Sequence, residues 1–310
     1  MTAVSIRIVF LGTAASIPTD ARALPSVAVK RKNEVFFFDC GEGVQRQMIR
    51  ARVGFHKKMK VFVTHMHGDH VLGLPGLLQT MSLLDRRQKL EVYGPVGIKA
   101  FVDAIEQTVQ FVLTFPVEIH EIEDDGIVCE EKEYYVHAVR VNHVIPGFSY
   151  ALVEKPRLGR FNPEKAKALG LPEGPLWSKL QHGEAVKIKG GKVIKPEQVV
   201  GPPRQGIKIA YSGDTRPTKS LVKLAEGADL LIHEATLEDE LSEKAQEDGH
   251  STPIQAATIA KKGKVKRLIL THVSSRYRST ESLLEQAKKI FPNVDVAVDF
   301  MKVELPLPEA

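Results

Sequence analysis

The chain has 310 residues, 43% of them hydrophobic and 26% charged, with a formal net charge of +5. No apolar run approaches the roughly 20 residues of a membrane-spanning helix, and MTAVSIRIVF enters an alternating pattern without a signal-peptide layout, so no membrane partner is expected. Two cysteines, Cys40 and Cys129, are too few for a disulfide framework and suit buried thiols in a reducing cytoplasm.

The charge is unevenly spread. Residues 154–195 hold ten Lys/Arg against four Asp/Glu, whereas 118–133 hold eight acids against one lysine. From 261 to 278 there are seven basic residues and no acid. Such asymmetry suggests a polyanionic partner on one face.

In chain order, residues 4–10, 26–30 and 34–39 read as strands broken by turns, and 61–63 as a further short one. A helix is predicted over 44–52, with Val44, Met48 and Ala51 on one side and Arg46 and Arg50 on another. Helical spacing returns over 71–84 and 97–109, either side of a strand at 90–93, and strands dominate 117–153. The second half repeats this grammar, with strands at 207–211, 230–233 and 267–271 and helices at 218–225, 253–262 and 280–291. Strands interleaved with helices in both halves predict an α/β αββα sandwich, two sheets face to face with helices outside, in a single catalytic domain spanning 1–310.

Residues 154–195 differ in texture, being rich in Pro, Gly and Lys. Asn162-Pro163 reads as a helix cap followed by a first-turn proline, and Gly170 as its stop. LPEGPLWSKLQHG repeats the pattern, with Trp177 and Leu180 as apolar anchors. The segment reads as an inserted helical arm protruding from the body.

The densest chemistry is HMHGDH, which places His65, His67, Asp69 and His70 just beyond a strand end. Imidazoles and carboxylates suit zinc, and Gly68 lets the backbone fold tightly around an ion. His65 and His67 could grip one metal while Asp69 and His70 reach a second. Further candidates follow predicted strands: His143 after YYVHAVRVN, Asp214 after IKIAYSG, His233 and Glu234 in DLLIHE, and His272 after RLILT. Recurrence at strand ends points to a two-metal cage along one edge. His56, His120, His137 and His182 lack a partner pattern and read as surface or packing residues.

THMHGDH, the NH at 142–143, GDT at 213–215, HEAT at 233–236, GHST at 249–252 and THVSSRY at 271–277 together resemble tRNase Z of the metallo-β-lactamase superfamily. The resemblance runs over essentially the whole chain. It implies two Zn2+ per subunit, although Mn2+ or Fe2+ suit the same donors. His65, His67 and His143 would hold one ion, Asp69, His70 and His272 the other, and Asp214 would bridge them. Asp69 would also orient the attacking water, and His250 would protonate the departing 3′-oxygen while Glu234 holds its imidazole. His233 would be structural.

The implied function is a zinc-dependent, cytoplasmic endoribonuclease that removes the 3′ trailer from precursor tRNA, leaving a 3′-hydroxyl on the tRNA and a 5′-phosphate on the trailer. The family also implies a homodimer, in which the arm of one subunit grips the tRNA cut by the other. Arg276, Arg278, Arg46 and Arg50 are candidate phosphate contacts. A small-ester, thioester or phosphodiester hydrolase on the same fold is the alternative, since HxHxDH alone marks only the superfamily. The family's PxKxRN-type loop is altered here: PTDARA at 18–23 keeps Pro18 and Arg22 but has Asp20 and Ala23.

Overall fold

A computed structural model describes residues 4–188 and 190–307. Its frame is two seven-stranded mixed sheets. The N-terminal sheet runs in the order Lys302–Pro306, Val4–Gly12, Ser26–Arg31, Glu34–Phe38, Lys58–Phe62, Leu90–Pro95, Val117–Ile122. Its first four strands are antiparallel neighbours, and the pairings from Glu34–Phe38 onward are parallel. The C-terminal sheet runs Val294–Val296, Leu268–Thr271, Leu230–Glu234, Lys208–Tyr211, Phe148–Glu154, Tyr134–Arg140, Gly126–Glu130, parallel through Lys208–Tyr211 and antiparallel beyond.

Both faces of each sheet are covered, which is why the strands read as nearly unbroken apolar runs rather than strict alternations. Ile6, Ile8, Phe36, Phe38 and Phe62 point between the sheets and meet Tyr134, Tyr150, Leu152, Ile209, Tyr211 and Ile232. The alternate residues Val9, Leu11, Val35, Phe37 and Val61 point outward, onto Met48, Leu74, Leu77, Leu78 and Val102 of the covering helices. On the other side Ala210, Leu231, Leu268 and Leu270 pack under Leu224, Ala256, Ile259, Ala260 and Leu283. The layers are therefore helix, sheet, sheet, helix, as expected.

Several bounds differ from the sequence reading. The helix expected over 71–84 starts earlier and breaks: Gly68–Val71 is one turn, and Gly73–Leu83 continues it. Asp69 and His70 thus sit on helical backbone, not in a free loop. Strands Val294–Val296 and Lys302–Pro306 and helix Ser242–Asp248 carried no clear pattern and were not anticipated.

The segment after Glu154 leaves the body as a separate unit. Its stem is closed by bridges pairing Arg157 with Arg204 and Phe161 with Val200. Asn162 accepts a hydrogen bond from Lys165 N and caps helix Pro163–Ala168, and Pro175–Gln181 forms the second helix. A hairpin, Val186–Lys187 with Val193–Ile194, completes it. Ala166, Leu171, Leu180, Val186, Ile194 and Val199 form its own small core, with Phe161 and Trp177 packed alongside.

Candidate metal centre

The chemistry-bearing residues collect where strands of both sheets end. Strand Lys58–Phe62 delivers His65 and His67, and the following turn delivers Asp69 and His70. From the other sheet come His143, ahead of Phe148–Glu154, Asp214, after Lys208–Tyr211, and His272, after Leu268–Thr271. The halves are stitched at this point by a bridge between His65 and Gly147 and by Phe148 N donating to Thr64 O at 2.8 Å.

The seven expected ligands fall into two donor groups. His65, His67 and His143 form one; Asp69, His70, Asp214 and His272 form the other; and Glu234 and His250 form a third set with His272. In the second group His70 Nε2 lies 3.3 Å from His272 Nε2, 3.4 Å from Asp69 Oδ2 and 3.2 Å from Asp214 Oδ2. His272 Nε2 lies 3.4 Å from Asp69 Oδ2 and 3.3 Å from Asp214 Oδ2. A tetrahedron of N and O ligands around zinc has edges of about 3.3–3.4 Å, so five of its six edges are present within a few tenths of an ångström. In the first group Nδ1 of His67 lies 3.0 Å from Nε2 of His65 and 3.2 Å from Nε2 of His143. Asp214 Oδ2 is also 3.8 Å from His65 Nε2, which makes this carboxylate the link between the groups.

The reverse side of four rings explains why these nitrogens face one another. His70 Nδ1 donates to Asp39 Oδ2 at 2.8 Å, and His143 Nδ1 donates to Gly249 O at 2.8 Å. Thr64 Oγ1 donates to Asp39 and so accepts from His65 Nδ1 at 3.0 Å. Thr236 Oγ1 donates to Glu234 Oε2 and accepts from His272 Nδ1 at 2.8 Å. Each proton is thereby held outside, leaving an Nε2 lone pair aimed inward. Lone pairs converging at such distances repel unless a cation lies between them. The donor set therefore fits a pair of divalent metal ions.

Charge leads to the same conclusion. Among the described residues, Asp69 and Asp214 have histidine partners and no Lys or Arg ion pair. Burial pushes both carboxyls up, but the histidines around them hold both well below the usual range. Burial drives His65 and His143 down, toward the neutral form a metal requires, whereas at His70 the Asp214 and Asp39 carboxylates outweigh burial and raise the ring, so that with no cation between the donors a proton on His70 takes the cation's place. Buried anions of this kind need a cationic partner.

Beside the second group, His250 Nδ1 lies 3.0 Å from Glu234 Oε1. Glu234 is fixed by Thr215 N at 3.0 Å, Thr236 N at 3.2 Å and Thr236 Oγ1 at 2.7 Å. Burial lowers the His250 imidazole, but the Glu234 carboxylate overcomes this and raises it to about 9. His250 is thus an imidazole held in its protonated form by a buried acid. His233 points elsewhere: it is wholly buried, its Nδ1 meets Glu234 O at 2.7 Å, and it joins neither donor group.

Asp39 was not singled out from the sequence. It is wholly buried, adopts φ +61°, and receives Thr64 N at 2.7 Å and Tyr211 Oη at 2.9 Å in addition to His70. Left-handed backbone at a non-glycine residue costs of order 1–3 kcal/mol and persists only where surroundings over-determine it. His272, at φ +58°, is a second case in the same centre. Gly249 of GHST also has a structural role: at φ +88° its carbonyl reaches His143, and a Cβ there would lie 2.6 Å from His143 Nδ1.

The remaining sequence candidates lie outside both donor groups. Arg46 and Arg50 are exposed on helix Val44–Ala51, with the Arg50 guanidinium 4.6 Å from the Phe300 ring. Arg276 and Arg278 are exposed in the loop before helix Glu281–Lys288, and Arg276 Nε donates to Ser274 Oγ at 3.2 Å. Arg22 turns inward, donating to Thr13 Oγ1 and Ala297 O, each at 2.7 Å. A further cluster, Glu91, Glu118 and His120, already has cations, because Lys60 and Lys89 pair with its acids and His120 stacks on Tyr93.

An αββα frame with histidine and aspartate donors at its strand ends defines a metallo-β-lactamase fold. Family models agree: one described as a beta-lactamase superfamily domain matches residues 195–273, and one described as anti-Pycsar protein Apyc1 matches residues 6–158. YhfI from Bacillus subtilis, whose structure is described as a metallo-beta-lactamase fold protein, superposes with TM-score 0.69 at 17% identity, covering 97% of this chain and all of that one. The short form of human tRNase Z superposes with TM-score 0.72 at 32% identity, over 98% of this chain and all of the human one. Ribonuclease Z of Methanosarcina acetivorans is 48% identical, covering 97% of this chain and 98% of its own length. That of Myxococcus xanthus is also 48% identical, again over 97% and 98%. The chain belongs to the ribonuclease Z family, the endoribonucleases that process the 3′ end of tRNA.

Proposed function

We propose that this protein removes the 3′ trailer from precursor tRNA by hydrolysis at two divalent metal ions, zinc foremost. His65, His67 and His143 would hold one ion and Asp69, His70 and His272 the other, with Asp214 lying between the two groups. When bound, such ions lower the pKa of water and offset charge at the attacked phosphorus. Asp69, at the rim of its group, orients the incoming water. His250, kept protonated by Glu234, gives its proton to the departing 3′-oxygen, which leaves the tRNA with a 3′-hydroxyl and the trailer with a 5′-phosphate. The observation that carries this reading is the pairing of near-full-length ribonuclease Z similarity with an acid–histidine pair beside the donor groups.

The inserted segment supplies the grip on folded tRNA. Residues 154–195 carry the excess of Lys/Arg, and phosphate contacts give affinity and register rather than sequence reading. The strand leading into it, Phe148–Glu154, is seven residues long, so its two ends are roughly 20 Å apart. His143 lies before one end and the arm leaves from the other. An arm rooted so far from its own centre favours a homodimer, each arm serving the other subunit's site. Arg276, Arg278, Arg46 and Arg50 meet phosphates nearer the cut. No helix among the described residues is long and apolar enough to cross a membrane, and both cysteines are buried and free, which suits a cytoplasmic enzyme.

The test is incubation of purified protein with precursor tRNA, with and without chelator, followed by mapping of both ends. Cleavage that requires metal and leaves the stated ends supports the reading; an uncut precursor under metal-replete conditions refutes it. Deleting residues 156–190 separates this reading from a small-substrate hydrolase, since tRNA cleavage is lost while a small phosphodiester is still cut.

A further inference from the structure

The segment from Thr13 to Ala23 is a loop drawn shut at its neck, where a Cβ on Gly12 would lie 1.7 Å from Leu24 O. Its tip is exposed, yet it is tied to both donor-bearing regions. Ser16 N donates to Asp69 Oδ2 at 3.0 Å, the same oxygen that faces His70 and His272. Val273, next to His272, donates its N–H to Thr13 O at 2.9 Å, and Ala14–Ala15 pairs in parallel with Val273–Ser274. The position of this loop therefore sets the position of a hydrogen bond to Asp69.

Asp299 decides where the loop lies. It sits between strands Val294–Val296 and Lys302–Pro306, where the chain crosses from the C-terminal sheet to the N-terminal one. Its Oδ1 accepts from Thr13 Oγ1 at 2.8 Å, and its Oδ2 accepts from Ala23 N at 2.8 Å and Gln47 Nε2 at 3.0 Å. Both ends of the loop thus hang on one carboxylate. Arg22 closes the lock from within, bonding Thr13 Oγ1 and Ala297 O while facing Asp299 electrostatically. The crossing is itself held to the first strand, with Phe300 N donating to Phe10 O at 2.7 Å and Phe10 N donating to Met301 O at 3.1 Å.

We infer that Asp299, with Arg22 and Thr13, is a positioning device for the reaction centre. The carboxylate of the sheet crossing fixes the 13–23 loop so that Ser16 N–H holds Asp69 in the orientation hydrolysis needs. Neither Asp299 nor Arg22 belongs to the donor groups or to the pair formed by His250 and Glu234. The inference assigns Arg22 to the scaffold rather than to RNA. It rests on the proposed reaction for its kinetic consequence but not for its structural one.

Asp299→Ala removes every acceptor, Asp299→Asn keeps an oxygen for Ala23 N–H but not the charge, and Thr13→Val removes the hydroxyl shared by Asp299 and Arg22. Hydrogen exchange by mass spectrometry reads the loop, metal analysis reads the donors, and kcat is measured on precursor tRNA and on bis(p-nitrophenyl) phosphate. Expected for Asp299→Ala are about tenfold faster exchange confined to 13–23 and about tenfold lower kcat, with metal content and KM unchanged. Asp299→Asn falls between it and wild type. Unchanged loop exchange in Asp299→Ala and Thr13→Val overturns the inference, as does a kcat loss that merely tracks metal loss. Failure of the wild type to cut precursor tRNA would refute the functional reading instead, leaving the exchange result to judge the lock.

Discussion

His250 Nδ1 and Glu234 Oε1 lie 3.0 Å apart, and the glutamate making that contact is almost wholly buried. A buried carboxylate with three other hydrogen bonds cannot swing away, so the imidazole is held by a fixed anion. Burial alone would favour the neutral ring, yet the pairing raises His250 to about 9. The acid form therefore persists through neutrality and is lost as pH rises through that value. The kcat profile should fall on its alkaline side near 9. Glu234→Gln removes the anion and should move that fall to lower pH, whereas an unmoved limb would remove His250 from the role of proton donor.

His250→Ala should lower kcat by about 10²–10⁴-fold, the usual weight of a positioned general acid, with metal content unchanged. Single-turnover cleavage of precursor tRNA alongside metal analysis measures both.

Asp214→Ala should cost metal from both groups, because its Oδ2 is within 3.8 Å of His65 and 3.2 Å of His70. His143→Ala should weaken one group and spare the other. Metal-to-protein ratios after dialysis against a weak chelator distinguish the two patterns.

Asp39→Asn should reduce metal affinity by roughly 10–100-fold although Asp39 is in neither donor group, because a carboxylate behind an imidazole sets its tautomer and basicity. Competition with a chromophoric chelator gives the number. Equal affinity for mutant and wild type would reduce Asp39 to a packing residue.

Leu180→Ala should act on the arm alone. The side chain is wholly buried in a core separate from the sandwich, and such truncations cost about 2–5 kcal/mol. KM for precursor tRNA should rise while hydrolysis of a small phosphodiester stays constant. In the wild type, tRNA affinity should fall steeply with salt, each neutralised phosphate adding about −0.7 to −0.9 to the log–log slope.

The elements with punctuation were legible in the sequence. Asn162-Pro163 announces a helix that begins where expected, with its capping hydrogen bond. HMHGDH announced a donor cluster because nothing but a ligand cage explains three imidazoles between buried segments. Asp39 was missed for the opposite reason: a single aspartate after FFF reads as an ordinary strand-end turn. The edge strand Lys302–Pro306 was missed because its charged residues and proline mask the pattern that partners on a sheet interior would impose. Spacing within HMHGDH suggested that His65 and His67 serve one group and Asp69 and His70 the other, but assigning His143, Asp214 and His272 needed family resemblance or coordinates, since spacing along a chain says nothing about where distant donors meet.

Neither half of this chain owns a complete cage: four donors arrive from one sheet and three from the other. A full complement of donors would therefore exist only once the two moieties have closed face to face, and a metal held there would rivet that seam and make stability depend on how much free metal surrounds the protein as well as on its packing.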